Sequence, residues 1–457
     1  MERPEFVEHS LPISSVEILP VMHEVEPPPL PPAATSSQAI DSTTEGTVAT
    51  DESRLTLAEL ETLALEHNPS IGQISASSAK AAGLQTQVGL KPNPVIGYDA
   101  TQIADGDNAG QQGAYVSQTF VRGDKLAANR RVLEQDYQSI LWEVEVQRYR
   151  VQTDVRTRFY ETLAAQTRLE LATEFREVAR KGRQIAQDRL DAQEGALPDL
   201  LQAEIQLSEI DIIQQQAEVA YEAAWNELVT IVGLPEMRPV PLAGELPALV
   251  EERSFEALYQ QLLESSPELQ AAYARAERAR VNVQRQELQA IPNITGELGV
   301  GQNTMTGSGY ANINISLPLP IRNRNEGNIQ AACADYSRAL LDAQRIELSI
   351  RSRLVRTLRD FDQARVSVHQ FSTVILPKAR QNMELSQQAH VAGEFDFLRV
   401  LIARRTFFET NLSYLNSRVE LAQAEARLDG MLLTGGLDEP ATYDRDDSLR
   451  GQSLSGQ

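Results

Sequence analysis

The side chains that could do chemistry in this 457-residue chain are few and scattered. His9, His23, His67, His369 and His390 include no pair at the spacing that puts two imidazoles on one helical turn. Cys333 is the single cysteine, which excludes an intramolecular disulfide; its neighbours Ala331, Ala332 and Ala334 predict a small, semi-buried residue on a helix. Asp360 and Asp362 are two apart and cannot face one another on a helix. No Ser/His/Asp arrangement or phosphate-binding loop is present, and the glycine-containing turns punctuate strands. The sequence therefore predicts no catalytic residue, no cofactor and no metal site.

What remains is a set of carboxylates at two glycine-containing corners. Asp188, Asp191, Glu194 and Asp199 surround Glu194-Gly195-Ala196-Leu197-Pro198, and Glu394 and Asp396 sit in Gly393-Glu394-Phe395-Asp396. One role for them is plain helix-end chemistry, with Asp199 and Asp396 placed to cap the helices that follow. The other needs copies of the chain around an axis. Repeated that way, Asp191, Glu194, Glu394 and Asp396 would form an acidic ring that attracts cations and contributes to a closed gate.

The elements that position these corners come from an internal repeat. Leu57-Ala-Glu-Leu to Asn68-Pro69-Ser-Ile71 has the layout of Phe255-Glu-Ala-Leu to Ser266-Pro267-Glu-Leu269, with the prolines 198 residues apart. Pro94 and Pro292 keep that offset, and Ala224-Trp-Asn-Glu-Leu228 matches Ala424-Glu-Ala-Arg-Leu428 at an offset of 200. Each unit reads as a short helix, a second helix begun by proline, two alternating stretches, a very long helix, a corner and a returning helix. Alternation is clearest in the second unit. Ile294, Gly296, Leu298 and Val300 share one face, as do Ala311, Ile313, Ile315 and Leu317. Residues 124–181 hold neither Gly nor Pro, and their apolar residues recur every three or four positions. A helix from there to Glu194 spans about 106 Å. The second unit repeats it from Asn328 past Pro377 to about Ala392.

Boundaries follow: a Pro- and acid-rich segment over 1–54 expected to be a disordered tether, repeats at 55–244 and 245–434, and an acidic disordered tail over 435–457. The formal charge of −22 argues against a nucleic-acid partner. No apolar run approaches the length of a spanning helix, which leaves a membrane β-barrel open. Four strands cannot close one, so closure demands several chains, and three would supply twelve strands. The first residues show no basic start and apolar stretch of a secretory signal, and an in-frame upstream start encoding one is expected.

The duplicated unit over about 55–434 resembles the TolC-type outer-membrane efflux channel family. Leu317-Pro-Leu-Pro-Ile-Arg-Asn-Arg-Asn-Glu-Gly-Asn-Ile329 and Ser117-Gln-Thr-Phe-Val-Arg-Gly-Asp-Lys125 are similar to its heavy-metal, CzcC-like branch. The resemblance implies a mainly helical protomer with a small β part. As a homotrimer it would form a long α-helical barrel in the periplasm, capped by a twelve-stranded transmembrane β-barrel in outer-membrane lipid. It implies a passive, non-enzymatic conduit that works with a periplasmic adaptor and an inner-membrane pump of the RND type, with heavy-metal cations as cargo. Gly195, Pro198 and Gly393 then mark the adaptor-docking corners. Drug efflux or type I protein secretion on the same fold is the alternative, and a soluble helical scaffold is the alternative of another class.

Overall fold

A computed structural model describes residues 54–103, 110–193, 195–248, 250–392, 394 and 397–440. The expected tether up to residue 53, the tail beyond 440, most of the 105–110 connector and Glu194, Gly393 and Asp396 lie outside these residues.

The first repeat opens with a short strand β1 (Leu55–Thr56) and helix α1 (Leu57–His67). Thr56 and Glu59 form a reciprocal capping box: the Thr56 backbone N–H donates to the Glu59 carboxylate at 2.8 Å, and the Glu59 N–H donates to the Thr56 hydroxyl at 3.4 Å. Pro69 forbids helical backbone at Asn68, so α1 stops there and α2 (Pro69–Val88) begins. Asn68 is buried and bonds both ways. Its Oδ1 accepts from the Ser70 N–H at 2.9 Å, and its amide donates to the Ile231 carbonyl at 2.7 Å.

Strands β2 (Val95–Thr101) and β3 (Gln111–Phe120) form an antiparallel hairpin. Helix α3 (Lys125–Asp191) then runs 67 residues, about 100 Å at 1.5 Å per residue. It returns as α4 (Leu197–Val232), which ends at Gly233 with φ 91°. A two-residue strand β4 (Leu242–Ala243) pairs parallel with β1 and closes the repeat.

The second repeat follows the same order: α5 (Phe255–Ser265), α6 (Pro267–Gln289), β5 (Ile294–Asn303), β6 (Gly309–Ser316), α7 (Glu326–Gln370), α8 (Leu376–Val391) and α9 (Phe397–Asp429). Ser266 breaks α5 from α6 as Asn68 does in the first repeat, yet it makes no side-chain cap. Both long helices start from a left-handed residue, Asp124 at φ 52° and Asn325 at φ 65°. Asp and Asn tolerate that conformation better than most residues, which is why these two types stand at the strand-to-helix turn.

One sheet holds all four long strands in the order β2-β3-β5-β6, every neighbour antiparallel. Its centre joins the repeats, with Gln111 opposite Asn303 and Phe120 opposite Ile294. Two aliphatic cores lie where the short helices pack on the long ones. One gathers Leu60, Val155, Phe159, Trp225, Leu228 and Val232; the other gathers Leu269, Ile350, Leu354, Phe361, Leu421 and Leu428. Full burial of each such side chain contributes about 1.5–3 kcal/mol. The Trp225 indole N–H, which would otherwise be orphaned, donates to the Met237 carbonyl at 2.9 Å. Cross-repeat pairs flank the cores: Arg275 with Glu143 at 2.5 Å and Arg278 with Asp136 at 3.1 Å.

Several expectations need correction. The helix expected to run unbroken through Pro377 widens into a π-helical turn at Phe371–Ile375 before α8. Pro377 has no N–H to donate and its ring crowds the carbonyl four residues back, so one wider turn absorbs the misfit. Asp199 does not cap α4: that helix starts two residues earlier, from Ala196, and Asp199 sits in its first turn. Cys333 is exposed, on a face of α7 where Ser337 and Leu340 are exposed as well. Arg353 of α7 is half-buried, pairs with Glu268 and donates to the Leu432 carbonyl at 3.3 Å. Residues 435–440, assigned from the sequence to the tail, include a docked segment. The Gly435 and Gly436 N–H groups donate to Asp154 Oδ2 at 3.0 and 2.7 Å, and the Gln147 amide donates to the Gly436 carbonyl at 2.9 Å.

Candidate channel wall and helical corners

Alternation along the strands sorts the sheet into two unlike faces. On one face, Ile96, Val116, Leu298 and Ile313 stand directly opposite one another across all four strands. Tyr98, Ala114, Val300 and Ala311 make a second row, and Ile315 extends the face. These apolar side chains are open to the surroundings: Ile96 is 78% exposed, Ile313 77% and Ile315 72%. A contiguous exposed apolar patch of this kind marks a surface built for lipid or for another protein. Strands β3 and β5 have ten residues each, within the roughly 9–11 that a tilted strand needs to cross a bilayer core.

The opposite face is polar and stepped. Ser117, Glu297 and Asn314 form one row, with the exposed Val95 at its β2 end; Thr119, Thr295 and Ser316 form another, and the Thr119 and Thr295 hydroxyls meet at 3.2 Å. Two tyrosines lie flat here over glycines. A Cβ added at Gly97 would fall 2.3 Å from the Tyr115 ring, and one at Gly301 would fall 2.6 Å from the Tyr310 ring and 2.4 Å from the Gln112 carbonyl oxygen. The glycines are thus recesses for aromatic rings as well as strand residues. Strands β2 and β6 are the sheet edges, each with a row of backbone groups that has no partner strand among the described residues.

At the strand-to-helix turns the two repeats are stitched together. The Arg122 N–H and the Lys125 ammonium both donate to Asn293 Oδ1, at 3.4 and 3.2 Å, and burial holds the Lys125 pKa below its usual value. At the second turn the tie stays within its own repeat, the Asn325 amide donating to the Gln286 carbonyl of α6 at 2.7 Å. The connector beyond β6 presents Leu319 and Ile321, 68% and 73% exposed, followed by exposed Arg322 and Arg324.

The other end of the long helices holds the corners. Asp191 ends α3, is exposed, and accepts the Gln187 amide at 2.9 Å. Gly195 makes the turn itself: its N–H donates to the Arg189 carbonyl at 2.9 Å, and an added Cβ would come within 3.1 Å of Arg189 Cβ and of the Leu190 N. Pro198 is exposed at the start of α4. In the second corner Glu394 is exposed and its N–H donates to the Ala389 carbonyl at 2.9 Å. Of the predicted site residues, Asp191, Glu394, Gly195 and Pro198 are therefore placed at helix ends, and Glu194, Asp396 and Gly393 lie outside the described residues. No group of three or more His, Cys, Asp and Glu able to hold a metal ion occurs among the described residues, and none of their helices is long and apolar enough to cross a membrane. The sequence missed the tyrosine-over-glycine packing, because Gly97 and Gly301 meet Tyr115 and Tyr310 only through the pairing of the strands.

This protomer has the TolC-type channel fold. It superposes on the solved structure of CusC, described in connection with folding and transmembrane channel formation, with a TM-score of 0.66 at 17% identity over 83% of this chain and 92% of CusC. Residues 258–433 match the model of the family described as outer membrane efflux protein. It is 26% identical over 274 residues to the cobalt-zinc-cadmium resistance protein CzcC of Cupriavidus metallidurans, covering 60% of this chain and 65% of CzcC. Against Protein CyaE of Bordetella pertussis it is 26% identical over 266 residues, 55% of each chain. The chain thus spans less than two thirds of the length of both curated relatives.

Proposed function

We propose that the chain is the outer-membrane component of a tripartite efflux system and a passive conduit for heavy-metal cations. The observation that carries this reading is the four-stranded sheet, apolar on one face, polar on the other and open at both edges, joined to helices about 100 Å long. An open edge on β2 and another on β6 call for pairing with further copies, and three copies close a twelve-stranded barrel whose polar face lines the lumen. The exposed Ile96, Val116, Leu298 and Ile313 row would then meet outer-membrane lipid. The helices would continue as a periplasmic tube, and the corners at Gly195, Pro198 and Gly393 would meet the adaptor of an RND-type pump.

The metal cargo rests on the similarity to a protein named for cobalt-zinc-cadmium resistance. A conduit needs no tight metal site, since slow release would defeat conduction. Native mass measurement of the detergent-solubilised protein tests the assembly, with a homotrimer expected and a stable monomer with intact strands overturning it. Cargo is tested by expression beside a metal-exporting pump and adaptor in a channel-deleted host. Restored growth on cobalt, zinc or cadmium is expected; rescue of drug export alone would move the protein to the alternative branch.

A further inference from the structure

A second feature lies among the helices, between the corners and the cores. Helices α3, α4 and α9 enclose a cavity of about 320 Å3, at the small end of the roughly 300–1,000 Å3 of small-molecule sites. Its wall is largely apolar: Phe175, Ile210, Ile213, Leu401 and Phe408 line it, with the Phe175 and Phe408 rings 4.3 Å apart between centroids. Among these stands the guanidinium of Arg404.

The charges at the rim are accounted for except this one. Arg405 holds Glu409 at 2.9 Å and Glu209 at 3.5 Å, and Arg183 reaches Glu204 at 3.4 Å. Arg404 has no hydrogen-bond or ion-pair partner among the described residues. Burial pushes its pKa below the usual value with no carboxylate to offset it. A half-desolvated guanidinium beside an apolar hollow lacks an anion carried on an apolar body, and Arg binds carboxylates through two parallel hydrogen bonds.

We propose that the cavity binds a medium-chain aliphatic carboxylate, its chain among Phe175, Ile210, Leu401 and Phe408 and its head on Arg404. Arg405 offsets one of the two charges of the neighbouring Glu209 and Glu409, and neither carboxylate makes an ion pair with Arg404. The size of the hollow admits a single alkyl chain and excludes a diacyl lipid. This assignment does not depend on the cargo of the channel.

The test is equilibrium dialysis of radiolabelled decanoate against the full chain in nanodiscs, with empty nanodiscs subtracted. Loss of a charge-assisted hydrogen bond predicts that Arg404→Gln weakens decanoate binding about tenfold or more, while Arg404→Lys stays closer to wild type. Neutral decanol should bind wild type and Arg404→Gln alike; Ala179 of α3 also lines the cavity, so Ala179→Phe, which fills it, should lose both ligands. Circular dichroism confirms that each variant is folded. Equal decanoate affinity in wild type and Arg404→Gln, binding retained by a folded Ala179→Phe, or wild-type uptake no greater than that of empty nanodiscs would each overturn the proposal.

Discussion

Two glycines in one strand, on one face and a residue apart, separate what the sheet tolerates from what it does not. At Gly299 an added Cβ would meet Tyr115 Cβ at 3.6 Å, the Ala114 carbonyl at 3.7 Å and Asn312 Cβ at 3.8 Å, all ordinary contacts. At Gly301 it would meet the Gln112 carbonyl oxygen at 2.4 Å and Tyr310 Cζ at 2.6 Å. The oxygen is backbone in the β3–β5 ladder and cannot swing aside, so relief requires moving the ladder. Overpacking of this kind costs about 1–3 kcal/mol. Gly299→Ala should instead be neutral or add about 0.4–1 kcal/mol, because alanine narrows the unfolded ensemble at a compatible position. The two variants should therefore differ by about 1–4 kcal/mol in urea unfolding of the detergent-solubilised protein followed by circular dichroism. Adding Tyr310→Ala to Gly301→Ala should recover only part of the loss, since the carbonyl contact remains. Equal midpoints for Gly299→Ala and Gly301→Ala would refute the register and packing described for β5.

Further outcomes follow from the caps, the docked segment and the corners. Asn68→Ala removes a cap and orphans the Ile231 carbonyl, and should cost about 2–3 kcal/mol in chemical denaturation, whereas Ser266→Ala, which loses no cap bond, should cost well under about 1 kcal/mol. Burial raises the Asp154 pKa above its ordinary 3.8, so the protonated form is favoured in the fold. That stabilisation is present below the ordinary value and lost as pH rises through the raised one, and thermal unfolding between pH 3 and 8 should show Asp154→Asn flattening this dependence while the Gly435 and Gly436 bonds persist. Charge reversal at Asp191 and Glu394, or Gly195→Trp, should abolish export in a complementation assay while assembly stays intact; equal loss of assembly would make the corners structural. Neutralising Asp191, Glu194, Glu394 and Asp396 should lower cation selectivity in planar bilayers at low salt more than at high salt, because exposed charges are screened over about 8–10 Å at ordinary ionic strength.

What the sequence disclosed is what a period can disclose. Strand alternation at 294–300 and 310–317 showed which residues share a face, and the offset of Pro69 and Pro267 showed the repeat, whereas the register between strands came only with the structure. A three- to four-residue apolar period told α3 as a helix to within a few residues of its observed end at Asp191. What stayed hidden depends on residues far apart in the chain. Arg275 and Glu143 are 132 positions apart, and Asp154 reaches Gly436 across 282. Nothing local to Asp154 distinguishes it from a solvated helix charge. Pro377 was visible, but whether it would kink, end or widen its helix depends on how the flanking turns are held. The carboxylates of the corners were equally visible, but an acidic ring needs copies of the chain around an axis, which no local pattern encodes.

The pairing of β3 with β5 bears on how the protein can be made. Their partners are separated by 174 to 192 residues, from Phe120 and Ile294 to Gln111 and Asn303. Entropy for closing so long a loop grows only slowly with length, but it must be met before any contact in the ladder rewards it, and such non-local pairing is slow. Until β5 has been synthesised, β2 and β3 are a lone two-stranded hairpin, marginal in water and apolar on one side. The helices of the first repeat can pack from their own residues in that interval. The sheet is thereby a late event in the life of the chain, and a nascent form with ordered helices and an unpaired hairpin is the species that a chaperone or insertion machinery would have to recognise.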